Sequence, residues 1–199
     1  MNFLAHLYLS GESPKIKLGN FIGDFVKGKN LAERFENEIV RGIALHREID
    51  WFTDRHAVVK QSKDRLRAKY RHYSGVIVDI FYDHFLAKNW NRYSKQSLPD
   101  FAEDFYNLIQ QYEPILPEEV KYMMPYMTKG NWLLNYAHTE GIHRALSGMA
   151  RRTKFESKME EATEDLLNDY SDYENEFILF FPQLEFFTTE WLLTHHALA

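Results

Sequence analysis

The sequence predicts an all-α protein that forms one domain over residues 1–199. Apolar residues recur at intervals of three and four along most of the chain, which is the pattern of amphipathic helices. No stretch shows sustained alternation of apolar and polar residues or an Asn-Gly or Asp-Gly hairpin turn. The hydrophobic share of 45% suits a substantial core, and no shift in composition suggests a linker. We therefore expect roughly seven to nine helices with short connections.

The first half of the chain divides into five segments. An apolar start over residues 1–10 contains His6 and is interrupted by Gly11 and Pro14. The segments that follow are a short helix over 17–28, a long helix over 31–54, a polar and basic helix over 56–72, and an apolar helix over 76–91. Ser74 and Gly75 mark the break before the last of these.

The second half continues with shorter helices and then a long amphipathic one. The shorter helices are predicted over 98–112, 117–127, 131–136 and 139–149. The long helix is predicted over 154–181, and a last helix over 183–196. Pro182 is expected to separate these two, because proline inside a helix lacks the N–H donor and clashes with the preceding turn.

The apolar segment 76–91 carries an unexpected polar pair, Asp83 and His84, in its middle. A carboxylate removed from water costs several kcal/mol unless a partner or a cation compensates for it. A divalent metal compensates for Asp and neutral imidazole together. The pair is therefore interpreted as the centre of a metal site, and the alternative is a hydrogen-bonded pair in the core.

Other titratable residues lie where they can converge on that pair. His46, Asp50 and Asp54 follow one another at four-residue spacing and so line one helix face. A simple hydrogen bond between His46 and Asp50 within the helix explains part of the same pattern. Asp50 can also orient a metal-bound His46 from outside the ligand set. Asp24 lies between Gly23 and Phe25, where a turn or cap is the alternative role.

Several kinds of site and location are excluded by composition. The chain has no cysteine, so neither disulfides nor thiolate ligands are possible. No apolar run approaches the ~20 residues of a membrane-spanning helix, and the apolar start lacks a basic leader. We expect a cytoplasmic protein with neither membrane nor nucleic acid as partner. A phosphate-binding P-loop, a dinucleotide fingerprint and a Gly-x-Ser-x-Gly elbow are all missing.

The net charge of −5 conceals a basic segment between residues 41 and 71. A basic segment in an acidic protein indicates an acidic partner or a phosphate-bearing substrate, and a solvated helix face is the alternative. The arginines that we predict to bind substrate are Arg41, Arg47, Arg55, Arg65 and Arg67.

Five separated motifs occur in an order that resembles the acyl carrier protein phosphodiesterase family. These motifs read MNFLAHL, GNFIGDFVKG, GIALHREIDWFTD, DIFYDHFLAKNW and LSGMARR. That bacterial family is similar to a noncanonical branch of the HD-domain metal phosphohydrolases. The resemblance implies an HD-like helical bundle, a manganese or magnesium ion, and hydrolysis of 4'-phosphopantetheine from acyl carrier protein. Carrier proteins of this kind are small, acidic helical bundles.

The resemblance also implies roles for individual residues. Asp83 and His84 match the HD dyad in reversed order, His46 matches an earlier metal-binding histidine, and His6 lies in an N-terminal motif. The metal ligands are predicted to be Asp24, His46, Asp83 and His84, and the proton-transfer residues His6, Asp50 and Asp79. A further aspartate from a late helix stays open among Asp100, Asp104, Asp165, Asp169 and Asp172.

Two other functions are compatible with the same residues. The first is an HD-type phosphohydrolase for a nucleotide or other small phosphoester, which needs an enclosed pocket. The second is a helical binding protein without catalytic activity, in which Asp83 and His84 are a core interaction. The sequence determines neither the metal nor the oligomeric state.

Overall fold

The computed structural model describes residues 1–28 and 30–195, and most of them are helical. Eleven α-helices occur in this part of the chain: α1 (Phe3–Tyr8), α2 (Pro14–Ile22), α3 (Asn37–Arg55), α4 (Ala57–Tyr70), α5 (Ser74–Lys88), α6 (Leu98–Gln111), α7 (Glu118–Lys129), α8 (Trp132–Asn135), α9 (Thr139–Ala150), α10 (Ala162–Asn168) and α11 (Tyr170–Thr194). None of the described residues forms a strand. The all-α prediction is confirmed, and the HD-like arrangement stays a prediction.

Helix α5 lies at the centre of the core. Eleven of its fifteen residues are buried, including Asp83 and His84. It packs against α1, α4, α9 and α11. A helix that is buried on nearly all sides needs apolar residues around its whole circumference, and the predicted apolar segment 76–91 has that character.

Helices α2 and α3 cross at very short range, and glycines permit the contact. A Cβ atom added at Gly19 would lie 2.0 Å from the carbonyl oxygen of Ile39, and one added at Gly42 would lie 2.2 Å from that of Ile16. One turn further, a Cβ added at Gly23 would lie 2.3 Å from Cγ of His46. These glycines therefore let the backbone of α2 approach the imidazole of His46.

The predicted helix boundary at Pro182 is wrong. Helix α11 runs from Tyr170 to Thr194 with Pro182 inside it. The proline ring is exposed, and Ile178, whose carbonyl loses its helical donor, also faces solvent. Phe181 and Leu184 on either side of the proline are fully buried. Burial of both flanking turns offsets the ~3 kcal/mol that an interior proline costs.

The predicted start of that helix at residue 154 is also wrong. Residues 153–158 contain no helix, and Lys158 has a left-handed backbone with φ +58°. The hydroxyl of Thr153 donates to the carbonyls of Ala150 and Phe155, which holds the chain in a turn. The last predicted helix reached His196, which lies outside the described residues. Within the described ranges, no helix is long and apolar enough to cross a membrane.

Candidate metal centre

Two buried histidines and one aspartate from separate parts of the chain meet beside the α2–α3 crossing. His6 of α1 stacks on His46 of α3, with ring centroids 4.0 Å apart. The carboxylate of Asp50 bridges them: Oδ1 lies 3.3 Å from Nε2 of His6 and Oδ2 lies 3.2 Å from Nε2 of His46. One ligand atom from each residue lies within 4.8 Å of the others. We call His6, His46 and Asp50 the His–His–Asp cluster.

Asn20 orients both imidazoles of this cluster. Its side-chain Nδ2 donates to the carbonyl of His6 and to the hydroxyl of Ser10, so its Oδ1 is the acceptor for Nδ1–H of His6 at 2.8 Å. The backbone carbonyl of Asn20 accepts Nδ1–H of His46, also at 2.8 Å. Because both Nδ1 atoms are donors, both Nε2 atoms face Asp50, which is the orientation that metal-binding histidines need.

Two further carboxylates lie at the rim of the cluster. Oδ1 of Asp24 is 3.1 Å from Nε2 of His46, and the Asp24 side chain is 68% exposed. Oδ1 of Asp79 is 3.2 Å from the α-amino group of Met1, which is itself 3.6 Å from Oδ1 of Asp50. The Asp50 side chain is 40% exposed. The cluster is therefore buried on its histidine side and open to solvent on its carboxylate side.

The charges of these groups are strongly coupled. Burial opposes the charged form of His46, but the hydrogen bonds that its ring donates to Asp24 and Asp50 outweigh burial and raise the pKa of His46 to about 9. Burial and the nearby charge of His46 lower the pKa of His6. The pKa of Asp50 is held well below its usual range, because hydrogen bonds to both histidines overcome the effect of burial. The Asp50 carboxylate is therefore ionised at neutral pH.

The geometry and chemistry of the cluster fit a divalent metal ion. Two imidazole nitrogens and a carboxylate oxygen form a donor set that suits manganese, iron or zinc. A cavity of about 10 Å³ lies beside His6, Asn20, Asp24 and His46, and this volume corresponds to about one water-sized sphere. Nε2 of His46 carries a proton, because the raised pKa of this ring keeps it charged, and a metal would replace that proton on binding. The His–His–Asp cluster can therefore hold a metal ion.

Comparison with known proteins agrees with the resemblance noted in the sequence. A family profile described as acyl carrier protein phosphodiesterase matches residues 1–184. The chain belongs to this family. A protein of that name from Photorhabdus laumondii is 34% identical over 185 residues, which cover 92% of this chain and 93% of the relative. Relatives of the same name from Yersinia enterocolitica and Escherichia coli O157:H7 are 35% and 31% identical, each covering 92% of this chain and 95% of the relative. No solved structure matches the chain.

Asp83 and His84 lie outside the His–His–Asp cluster in this structure, and the predicted four-residue ligand set stays a prediction. The Asp83 carboxylate accepts the backbone N–H groups of Leu4 at 2.7 Å and Ala5 at 3.2 Å, at the start of α1. The His84 ring makes hydrogen bonds of 2.8 Å to the Tyr136 carbonyl and to the Tyr170 hydroxyl. Neighbouring helix residues differ by about 100° around the axis, so the two side chains point to different partners.

The environment of this pair is that of structural groups. Burial raises the pKa of Asp83 to about 7, although the two N–H groups favour its charged form. Burial lowers the pKa of His84, so its ring is neutral. The Asp83 carboxylate satisfies two N–H groups that the first turn of α1 leaves without helical partners. Since α1 carries His6, Asp83 supports the cluster from outside it.

The five predicted substrate-binding arginines separate into two groups. Arg65 forms a bidentate pair with the buried carboxylate of Glu176, at 2.9 and 3.0 Å, and Arg41 donates to the backbone carbonyl of Leu192. These two connect α4 and α3 to α11 and are not free to bind substrate. Arg67 is exposed beside Asp64 on α4. Arg47 and Arg55 are exposed on α3, the helix of His46 and Asp50.

The late aspartates have partners elsewhere within the described residues. Asp165 accepts from Lys69 and the Tyr70 hydroxyl, and Asp169 and Asp172 lie near Arg65. Asp100 and Asp104 accept from Ser97 and Gln96. None of the five contributes to the His–His–Asp cluster.

Sequence reasoning missed Asn20. Its only signal was its place in the GNFIGD motif, four residues before Asp24. The contacts of Asn20 with two histidines cannot be inferred from spacing, because they require the packing of α2 against α1 and α3.

Proposed function

We propose that this protein hydrolyses the phosphodiester that joins 4'-phosphopantetheine to a serine of acyl carrier protein. Water supplies an oxygen to phosphorus, the bond between phosphorus and the serine oxygen breaks, and the serine oxygen receives a proton. The products are apo carrier protein and free 4'-phosphopantetheine. The proposal is supported by membership of a family with this name and by the geometry of the His–His–Asp cluster.

The observation that carries the proposal is the open carboxylate side of the cluster. Two buried imidazoles have their Nε2 atoms directed at Asp50, and the carboxylates of Asp50 and Asp24 reach solvent. A phosphodiester on the surface of a protein can approach such a site without entering a deep pocket. A nucleotide substrate needs an enclosed pocket, whereas the cavity at this cluster measures only about 10 Å³.

Each residue of the site has a distinct proposed role. His6, His46 and Asp50 hold a divalent ion, for which we favour manganese over magnesium because two of the donors are imidazoles. When bound, such an ion stabilises phosphoryl charge and lowers the pKa of water. Asp24 lies at the exposed edge and stays ionised, since the hydrogen bond from His46 lowers its pKa. It accepts the proton of the attacking water and passes it to the serine oxygen.

The predicted role of Asp79 in proton transfer has less direct support than the roles of the cluster residues. Its carboxylate reaches the cluster only through the α-amino group of Met1. We propose that Asp79 balances this buried positive charge and so leaves Asp50 available to the metal.

Mass analysis of holo carrier protein incubated with the enzyme tests the proposed function. We expect conversion to apo carrier protein with manganese, no conversion with a chelator, and none with the His46→Ala variant. A small phosphodiester and a set of nucleotides serve as competing substrates. Rapid hydrolysis of a nucleotide without conversion of holo carrier protein would support an HD-type phosphohydrolase instead. No hydrolysis of any of these and no metal binding would support a binding protein.

A further inference from the structure

Three residues of α3 share an exposed face beside the metal centre. Arg47, Trp51 and Arg55 follow one another at four-residue spacing, so their side chains lie along one stripe of the helix. Trp51 is 50% exposed, and both arginines are exposed. We call these three residues the docking face.

The Trp51 ring is held in place although half of it faces solvent. Phe187 of α11 stacks on it with ring centroids 6.5 Å apart, and Phe187 also stacks on Phe52 at 4.7 Å. The guanidinium of Arg55 lies 4.8 Å from the Trp51 ring centroid. A half-exposed tryptophan in contact with phenylalanine and arginine has the composition of an energetic centre in protein–protein interfaces.

The docking face borders the catalytic groups. Arg47 directly follows His46, and Trp51 directly follows Asp50. Consecutive helix residues are separated by about 100° and 1.5 Å, so the stripe lies about 100° around the α3 axis from the side chains of His46 and Asp50. A protein that covers these three residues would have its contact surface next to the carboxylate of Asp50.

The charge of the face selects the kind of partner. Within residues 1–28 and 30–195, neither guanidinium is paired with a carboxylate, and neighbouring Asp54 is paired with Lys63 at 2.7 Å. Guanidinium groups bind carboxylates through two parallel hydrogen bonds, and the indole adds apolar contact area. The complement of this face is therefore an acidic protein surface with an apolar spot.

We propose that the docking face binds an acidic surface of the carrier-protein substrate and brings its modified serine to the metal centre; this inference rests on the function proposed above. Of the five predicted arginines, the proposal keeps Arg47 and Arg55. Arg41 and Arg65 are bound within the fold, and Arg67 lies beside Asp64 on α4. The face contributes to association with the protein substrate and makes no contact with the reacting phosphodiester.

Steady-state kinetics of the full chain test this proposal with two substrates, holo carrier protein and a small generic phosphodiester. For the double variant Arg47→Glu/Arg55→Glu, we expect KM for holo carrier protein to rise by at least ~10-fold while kcat changes little. Activity on the small phosphodiester should stay as in the wild type. Added salt should raise KM of the wild type more than that of the variant, because screening weakens exposed charge interactions.

A charge-matched control separates docking from net charge. Arg92 and Lys129 are exposed and distant in sequence from the face, and Arg92→Glu/Lys129→Glu changes the net charge by the same amount. This control should keep the wild-type KM. Trp51→Ala, checked for folding by circular dichroism, should raise KM without any change of charge.

The outcomes distinguish this proposal from the proposed function. If the wild type does not convert holo carrier protein, the proposed function fails first. If the wild type converts it but the docking variant behaves like the control, the docking face is wrong. Equal losses on both substrates would show that the arginines act in folding or chemistry, which also overturns the proposal. A wild-type dimer that the docking variant dissociates, in sedimentation analysis, would assign the face to a second copy of this chain.

Discussion

Two buried groupings of histidine and aspartate in this molecule have opposite designs. In the His–His–Asp cluster, helices α1 and α3 direct two imidazole nitrogens and a carboxylate at a common point that opens to solvent. In the Asp83–His84 pair, the side chains diverge and their polar atoms form hydrogen bonds with other parts of the fold. The same residue types thus form a candidate metal site in one place and structural hydrogen bonds in the other.

The difference shows that convergence matters more than proximity in sequence. Residues adjacent on a helix point about 100° apart and seldom ligate one ion together. Residues four apart, or on crossing helices, can face the same point. His46 and Asp50 are four residues apart on α3, and α1 brings His6 to them across the α2–α3 crossing.

The largest contrast is expected between His46→Ala and His84→Ala. Loss of His46 should reduce turnover of holo carrier protein by more than the ~10–100-fold typical of losing an outer partner. It should also abolish stabilisation by manganese, which for the wild type amounts to ~2.7 kcal/mol at a hundredfold excess over Kd. Thermal unfolding with and without manganese measures this, together with kcat/KM.

His84→Ala should instead lower the free energy of unfolding by ~1–3 kcal/mol, because it leaves the buried Tyr136 carbonyl unpaired. Its folded fraction should still bind manganese. The comparison would break down if folded His84→Ala protein lost the metal while His46→Ala protein retained it.

A smaller effect is expected from Asn20→Ala. This change removes the acceptor of Nδ1–H of His6 but keeps the backbone carbonyl that holds His46. Manganese affinity, measured by titration calorimetry, should fall ~10–100-fold, as for other partners that orient metal ligands. Ser10→Ala is the matched control, since it removes a hydrogen bond of Asn20 that does not involve a ring. Unchanged affinity in folded Asn20→Ala protein would show that His6 is not a ligand.

The smallest effect on turnover is expected at Asp83, where pH dependence of stability is the informative measurement. The unfolded chain releases this proton near pH 3.8, whereas the folded protein retains it until about pH 7. Because the folded state binds more protons in this window, its stability should fall as pH rises from about 4 to 7. Three pKa units correspond to at most about 4 kcal/mol.

Asp83→Asn should remove this pH-dependent contribution to stability. The free energy of unfolding, measured with denaturant, should therefore change less with pH in the variant than in the wild type. Manganese affinity of the folded variant should stay within ~10-fold of the wild type. Parallel pH profiles for the two proteins would show that Asp83 is ionised in the fold throughout this range.

The sequence alone determined the helical class, the apolar central helix and the family. Each of these depends on local periodicity or on the order of motifs, and both can be seen directly in the sequence. It also identified His6, Asp24, His46 and Asp50 as candidates, because titratable residues on apolar helix faces are costly and therefore noticeable. The predicted helix boundary at Pro182 is wrong, since local propensity ignores the burial of Phe181 and Leu184 on either side of the proline.

Only the tertiary structure decided which candidates meet. Helix α1 directs the N–H groups of Leu4 and Ala5 at Asp83, and this contact places the Asp83 carboxylate outside the His–His–Asp cluster. The glycine contacts between α2 and α3 bring Asn20 to His46 and so turn both imidazoles toward Asp50. Such contacts join residues far apart in the chain, and their geometry depends on the packing of whole helices, which no spacing in the sequence encodes.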